Sequence, residues 1–147
     1  KSINLEHASV AGFVFLVVVM VTLFMREALL AGSAVLVAVQ VAAALLMIWA
    51  RWTFGRRSFH ASADPTEGGL VMTGPYRFIR HPIYAAALFF IWAGVLSHLS
   101  PINVSLGFAG IAFAGVRIFA EEKSVVARYP EYVAYAAKTK RIIPFLF

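Results

Sequence analysis

Ala8–Met25, reading ASVAGFVFLVVVMVTLFM, carries no charged side chain, and neither does Ala28–Trp49 just after it, where Gln40 is the only strongly polar residue. A spanning helix needs about 20 consecutive apolar residues, and both runs have that length. They constrain the fold more than any other feature, because inside a bilayer each backbone N–H and C=O must be satisfied within the spanning segment itself. A single chain meets that demand most simply as helices. Composition agrees: 61% of the 147 residues are hydrophobic and 14% charged, against roughly 45–50% and 25% in soluble domains. Ala8–Met25 lacks a small-residue cleavage site followed by a soluble body, so it reads as a retained membrane helix and not as a signal peptide.

Two shorter apolar runs follow, Ile83–Leu96 and Ile102–Ile118, separated by SHLSP with Pro101 placed to start the second helix. Polar ends, tilt or local bilayer thinning would absorb their shortfall in length. The expectation is an all-α integral membrane protein, with four transmembrane helices as two hairpins plus a cytoplasmic C-terminal helical segment. It forms one membrane domain over residues 1–147, divided at 1–50 (first hairpin), 51–82 (cytoplasmic loop), 83–119 (second hairpin) and 120–147 (C-terminal segment). Arg26-Glu27 is expected to be a very short turn inside the first hairpin. Small residues at Ala31–Ala34 and Ala42–Ala44 would let its two helices approach closely.

A net charge of +6 would suggest nucleic acid in a soluble protein. Here the positive-inside rule accounts for it, and no nucleic-acid partner is expected. Arg51, Arg56, Arg57, Arg77 and Arg80 fall in the long middle connection, and Lys123, Arg128, Lys138, Lys140 and Arg141 follow the last apolar run. The opposite turns carry only Arg26, beside Glu27. The loop, both termini and any site built there are therefore expected on the cytoplasmic side of a multi-pass protein. The middle loop RRSFHASADPTEGGL is rich in Gly, Pro and Asp and does not read as a strand. With no cysteine there is no disulfide framework, thiolate nucleophile or cysteine metal site. His7, His60, His81 and His98 are scattered without ligand spacing, so no metal is expected.

Three polar constellations interrupt the apolar text. TGPYRFIRHPIYAA (Thr73–Ala86) places arginines, His81 and Pro82 against the third apolar run. Read plainly, this is an anchor at the membrane edge, which leaves His81 unexplained. Glu121-Glu122 directly follow the fourth run. Adjacent residues on a helix point about 100° apart, so the two do not form a symmetric pair, and Arg117 lies at the spacing that bridges Glu121. A solvated helix end is the plain reading. Carboxylates at a helix C-terminus oppose its dipole, so either the helix continues past Glu122 or the carboxylates have a task. Last, Pro130 breaks the chain at Tyr129 or opens a new helix, in which Tyr132 and Tyr135 share a face and which Pro144 ends. An interfacial tyrosine belt is the plain alternative.

In this order, GPYRFIRHPIY, an apolar hairpin, R-x3-EE and YPEYVAYAAKTKRIIPF resemble the isoprenylcysteine carboxyl methyltransferases and the related phospholipid N-methyltransferases, over roughly Leu70–Phe147. The resemblance implies an integral-membrane enzyme that transfers a methyl group from S-adenosyl-L-methionine to a lipid or prenylated acceptor, leaving S-adenosyl-L-homocysteine. It implies cofactor contacts from Tyr76, Arg80, His81, Pro82, Tyr84, Glu121, Glu122, Tyr132 and Tyr135. It implies Glu122, Lys138 and Arg141 on the catalytic and acceptor side. Such a cofactor presents a carboxylate, an ammonium, hydroxyls, a flat base and a sulfonium, and these residue types match that list. Lys138 stands where eukaryotic carboxyl methyltransferases have an arginine. Lysine lacks the bidentate fork, which leaves an amine or another lipid acceptor open. A NADPH-dependent sterol-type reductase has a similar His-Pro-x-Tyr element, and a non-enzymatic small membrane protein using these motifs as anchors is the remaining alternative.

Overall fold

A computed structural model describes residues 2–55, 70–144 and 146–147. Its elements are α1 (Ser2–Met25), α2 (Ala34–Phe54), a 3-10 turn (Gly74–Arg77), α3 (Pro82–Ser97), α4 (Pro101–Arg128) and α5 (Tyr132–Lys138). Among the described residues there is no strand, only an isolated parallel bridge between Ile79 and Lys140. The middle-loop reading falls on residues 56–69, outside the described residues.

Among the described residues, three helices are long and apolar enough to cross a membrane: Glu6–Met25 within α1, α2 and α4. With 16 residues, α3 is about 24 Å long, short of the roughly 30 Å hydrocarbon core. Their outward faces are apolar and open: Val14, Val18, Val21 and Phe24 on α1, Val35, Leu45 and Trp52 on α2, Phe108 and Ile111 on α4. Soluble monomers rarely expose apolar surface on this scale, and acyl chains cover it at no cost. The chain is thus a multi-pass membrane protein.

The first hairpin differs from expectation. Arg26–Ser33 is not a two-residue turn but an eight-residue connection, and α2 begins at Ala34 instead of Ala28. Ser33 caps α2, accepting from the Leu36 N–H at 3.3 Å. Ala31, Gly32 and Ser33 therefore lie in the connection and not in a helix interface. Nor do α1 and α2 pack along each other: α1 lies along α4, α2 along α3, and α3 meets α4. The physical reason is the connection itself. Gln40, buried in α2, accepts from the Ala31 N–H at 2.9 Å and donates to the carbonyls of Leu29 (2.7 Å) and Phe90 (3.0 Å). That amide holds the connection against α3. A Cβ on Gly94 of α3 would meet the Ala28 carbonyl at 2.7 Å, so the close approach depends on glycine.

Buried positions on α1 are Ser9, Gly12, Leu16, Val19 and Leu23, and on α4 Asn103, Gly107, Gly110, Ala114 and Arg117. Both stripes recur every third or fourth residue, the spacing of a knobs-into-holes seam. The helices run antiparallel, from Ser9 against Arg117 at one end to Arg26 donating to the Asn103 side-chain Oδ1 (2.8 Å) at the other. Leu16, Val19, Leu23, Ala28, Ile91 and Val95 form the core they share with α3. Pro101 opens α4 as anticipated, with Ser100 accepting from the Asn103 N–H.

Further along, α4 does not stop near Ile118 but runs to Arg128. The division at residue 119 is therefore internal to a helix, and Glu121 and Glu122 are not at its C-terminus. The conflict with the helix dipole disappears. Beyond the Tyr129–Glu131 turn, α5 ends at Lys138, earlier than Pro144, because Thr139 turns extended and its hydroxyl donates to the Tyr135 carbonyl at 2.8 Å.

Candidate functional site

One end of the bundle collects the start of α3, the second half of α4 and the C-terminal segment. Gly74 sets the entry to α3. Its φ of +57° is left-handed, and a Cβ there would meet Thr53 Oγ1 of α2 at 2.6 Å, so glycine is needed on both counts. The 3-10 turn then buries Pro75 and Tyr76 and delivers Arg80 and His81 to the residues just before α3, with His81 at its N-cap and Pro82 at its first position.

The C-terminal segment docks on this corner through backbone. Arg80 N–H donates to the Lys140 carbonyl at 2.7 Å and His81 N–H to the Arg141 carbonyl at 2.9 Å. Arg80 Nη1 donates to the carbonyls of Ala136 (2.9 Å) and Thr139 (2.6 Å) at the end of α5. Tyr135 O–H donates to the Tyr76 carbonyl at 2.6 Å, and the Tyr132 and Tyr135 rings meet edge to face at 5.4 Å. Burial pushes the Tyr135 phenol up to about 12. Tyr132 is raised as well, by burial first and then by the Glu122 carboxylate. Both are therefore buried and neutral, and neither is an exposed belt.

Glu122 is the hub. Its Oε1 accepts from Arg80 Nε at 3.2 Å and lies 2.9 Å from His81 Nε2, and Oε2 lies 3.2 Å from Arg141 Nε. The Arg141 guanidinium also lies over the rings of Phe119 (5.3 Å) and Phe147 (5.6 Å). One helical position back, Glu121 meets a different set: Tyr84 O–H donates to it at 2.5 Å, Arg117 Nη2 lies at 3.2 Å, and His81 Nδ1 is 3.9 Å from its second oxygen. The anticipated Arg117–Glu121 bridge is present, and the imidazole sits between two carboxylates that serve separate clusters. A single hub of this kind joins three segments far apart in sequence.

The sequence-read residues thus come together, with differing exposure. Arg80, His81 and Arg117 side chains are 8%, 7% and 5% exposed, whereas Glu122, Glu121 and Arg141 are 15%, 25% and 31% exposed. Tyr76 and Pro82 are buried, and Lys138 is exposed at the end of α5. Ser9 escaped the sequence reading because a lone serine in an apolar helix has no distinguishing neighbours. Arg117 was read only as a bridge, although a charge within an apolar run is itself a signal.

The family model for phospholipid methyltransferases matches residues 28–132. The chain belongs to the phospholipid methyltransferase family. Membership makes this a membrane methyltransferase in its general class, in keeping with the resemblance seen in the motifs. The match takes in α2, which carries no evident motif, so the likeness begins well before Leu70. It stops at Tyr132, and α1, Tyr135, Lys138 and Arg141 of this family member lie outside it. No individually curated protein matches the sequence significantly.

Proposed function

We propose that this chain uses S-adenosylmethionine to methylate the head-group amine of a membrane lipid at the cytoplasmic face. The observation that supports it most is the convergence of Arg80, His81 and Arg141 on Glu122, beside Tyr84 and Glu121, at one membrane end of a phospholipid methyltransferase family member. The donor set fits the cofactor. Arg141, half-open, suits its carboxylate; Glu121 and Glu122 suit its ammonium and ribose hydroxyls; Phe119, beside Arg141, offers a flat face for the base. When bound, the cofactor supplies an electrophilic methyl group on sulfur.

The chain's own residues hold and orient. Arg80 and His81 fix Glu122 from its buried side, so that Arg141 and solvent-borne groups meet it from the open side. Arg80 also keeps α5 closed on the site. The acceptor enters sideways from the bilayer, between the α3–α4 hairpin and the C-terminal segment. Of the two cations considered for its head group, Arg141 is engaged by Glu122, and Lys138 is the better placed, binding a lipid phosphate as a point charge. Rate acceleration comes mainly from proximity and preorganised charge. A prenylcysteine carboxylate is the second acceptor class, and the family match favours the phospholipid.

The test is calorimetry of S-adenosylhomocysteine and, separately, NADPH with the protein in detergent. It is paired with transfer of labelled methyl from S-adenosylmethionine to vesicles holding phosphatidylethanolamine or to prenylcysteine analogues. Binding of S-adenosylhomocysteine and labelled phospholipid are expected. Binding of NADPH alone would point to the reductase, and binding of neither to a structural protein.

A further inference from the structure

Ser9, in α1, is fully buried and lies 108 positions from its partner. Its hydroxyl and its carbonyl accept from Arg117 Nη1 at 3.0 and 3.1 Å. Arg117 Nε donates to the Tyr84 hydroxyl, and Nη2 lies 3.2 Å from Glu121 Oε1. The Tyr84 hydroxyl, having accepted, donates onward to the same Glu121 oxygen. The rings of Phe13 and Tyr84 face the guanidinium at 5.1 and 5.7 Å. An unbroken hydrogen-bonded chain thus runs from α1 to the open carboxylate of the site.

Helix adhesion does not explain it. Gly12, Leu16, Val19 and Leu23 already supply the α1 seam, and replacing a buried ion pair by apolar residues is often neutral or stabilising. An arginine 4% exposed inside an apolar bundle is costly unless every donor is met. What a rigid guanidinium fork does well is fix two acceptors at once, here the Tyr84 oxygen and Glu121 Oε1.

We propose that Ser9 and Arg117 are positioning residues: α1 holds the guanidinium, which sets the Tyr84 hydroxyl and turns Glu121 so that its Oε2 faces the cofactor's ammonium or hydroxyls. This rests on the methyltransferase reading for what is being positioned. Neither residue touches the reacting groups.

The pair Ser9→Thr and Ser9→Val tests it in the full chain, reconstituted with phosphatidylethanolamine and phosphatidylglycerol. The two side chains share a shape and any crowding, and differ only in the hydroxyl. Fluorotyrosine labelling gives a Tyr84 resonance, assigned through Tyr84→Phe. Expected are a melting temperature lower in Ser9→Val, where Arg117 Nη1 loses one acceptor, a Tyr84 resonance displaced in Ser9→Val but not in Ser9→Thr, and kcat/KM for S-adenosylmethionine about tenfold lower in Ser9→Val, the scale of one hydrogen bond to a charge. Arg117→Lys, which keeps the charge and loses the fork, should displace the same resonance; if it does not fold, the Ser9 pair still decides. Identical resonances and kinetics for Thr and Val would overturn the proposal. A wild-type protein that neither binds S-adenosylhomocysteine nor transfers methyl overturns the functional reading instead, while the resonance comparison still judges the hold on Tyr84.

Discussion

Glu122 joins Arg80, His81 and Arg141, which arrive from the start of α3 and from the C-terminal segment. Glu122→Gln keeps the shape and removes the charge all three share. Each charge-assisted bond is worth about 1.5–3 kcal/mol, so S-adenosylhomocysteine affinity should fall roughly ten- to a hundredfold by calorimetry. Unchanged affinity would leave Glu122 as a structural clamp only. Lys138→Ala should separate from Arg141→Ala. Lys138 is exposed and forms no ion pair with Glu121 or Glu122 among the described residues, so its loss should lower kcat/KM for the acceptor while cofactor affinity holds. Arg141 sits on Glu122, so its loss should weaken both. Equal effects of the two on cofactor affinity would contradict this division. The motif residues were legible because charge, histidine and proline against an apolar run demand explanation. That Arg80 serves the α5 carbonyls, and that Arg141 is tied down, was not, because the sequence does not say which end of α5 meets which residue of α3.

At the scale of elements, two docking events matter. The connection Arg26–Ser33 seats on α3 at Gly94, where an added methyl would enter the backbone of Ala28 and Leu29. Gly94→Ala should therefore cost about 1–3 kcal/mol, as overpacking does, and lower the melting temperature in detergent. Gly115→Ala, where a Cβ meets nothing within 4 Å, is the control. The second event is α5. Tyr135 has its phenol pushed up to about 12 by burial while donating to Tyr76, against an ordinary value near 10. The docked segment thus holds this proton more tightly than the released one. Docking is undiminished below about pH 10 and weakens as pH rises through 12. Proteolysis of the tail at graded pH should show it, with the step reduced in Tyr135→Phe, which itself should cost about 0.5–1.5 kcal/mol. A tail released equally at pH 8 and pH 11 would remove this account.

For the whole molecule, the α3–α4 hairpin is central, with α1 along α4 and α2 along α3. The start of α1 and the C-terminal segment lie at the site end, and the Arg26–Ser33 and His98–Ser100 connections at the other. We propose from the charge distribution that the site end faces the cytoplasm. A cysteine at Leu99 should then react with an impermeant thiol reagent from outside intact cells, and one at Lys138 only after permeabilisation. The reverse pattern would move the site to the other face and exclude a cytoplasmic cofactor. The native absence of cysteine makes the background clean.

What the sequence determined by itself was helicity, the rough ends of the helices and the addresses of the polar groups. Uncharged runs near the length of a bilayer leave the backbone few alternatives, Pro82 and Pro101 mark two helix starts, and RHPxY and EE stand out against hydrocarbon. Tertiary structure decided the partners. A membrane helix is apolar on its lipid face and its packed face alike, so the periodicity that reveals a buried face in a soluble protein is absent. Only small residues and isolated polar ones mark the α1–α4 seam, and their meaning appears once both stripes are side by side. The short path from α1 to α2 suggested neighbours; Gln40, satisfying the connection's own backbone against α3, made them distant. Likewise nothing near Ser9 in the chain announces a role, because its partner Arg117 is brought to it by the order in which four helices pack.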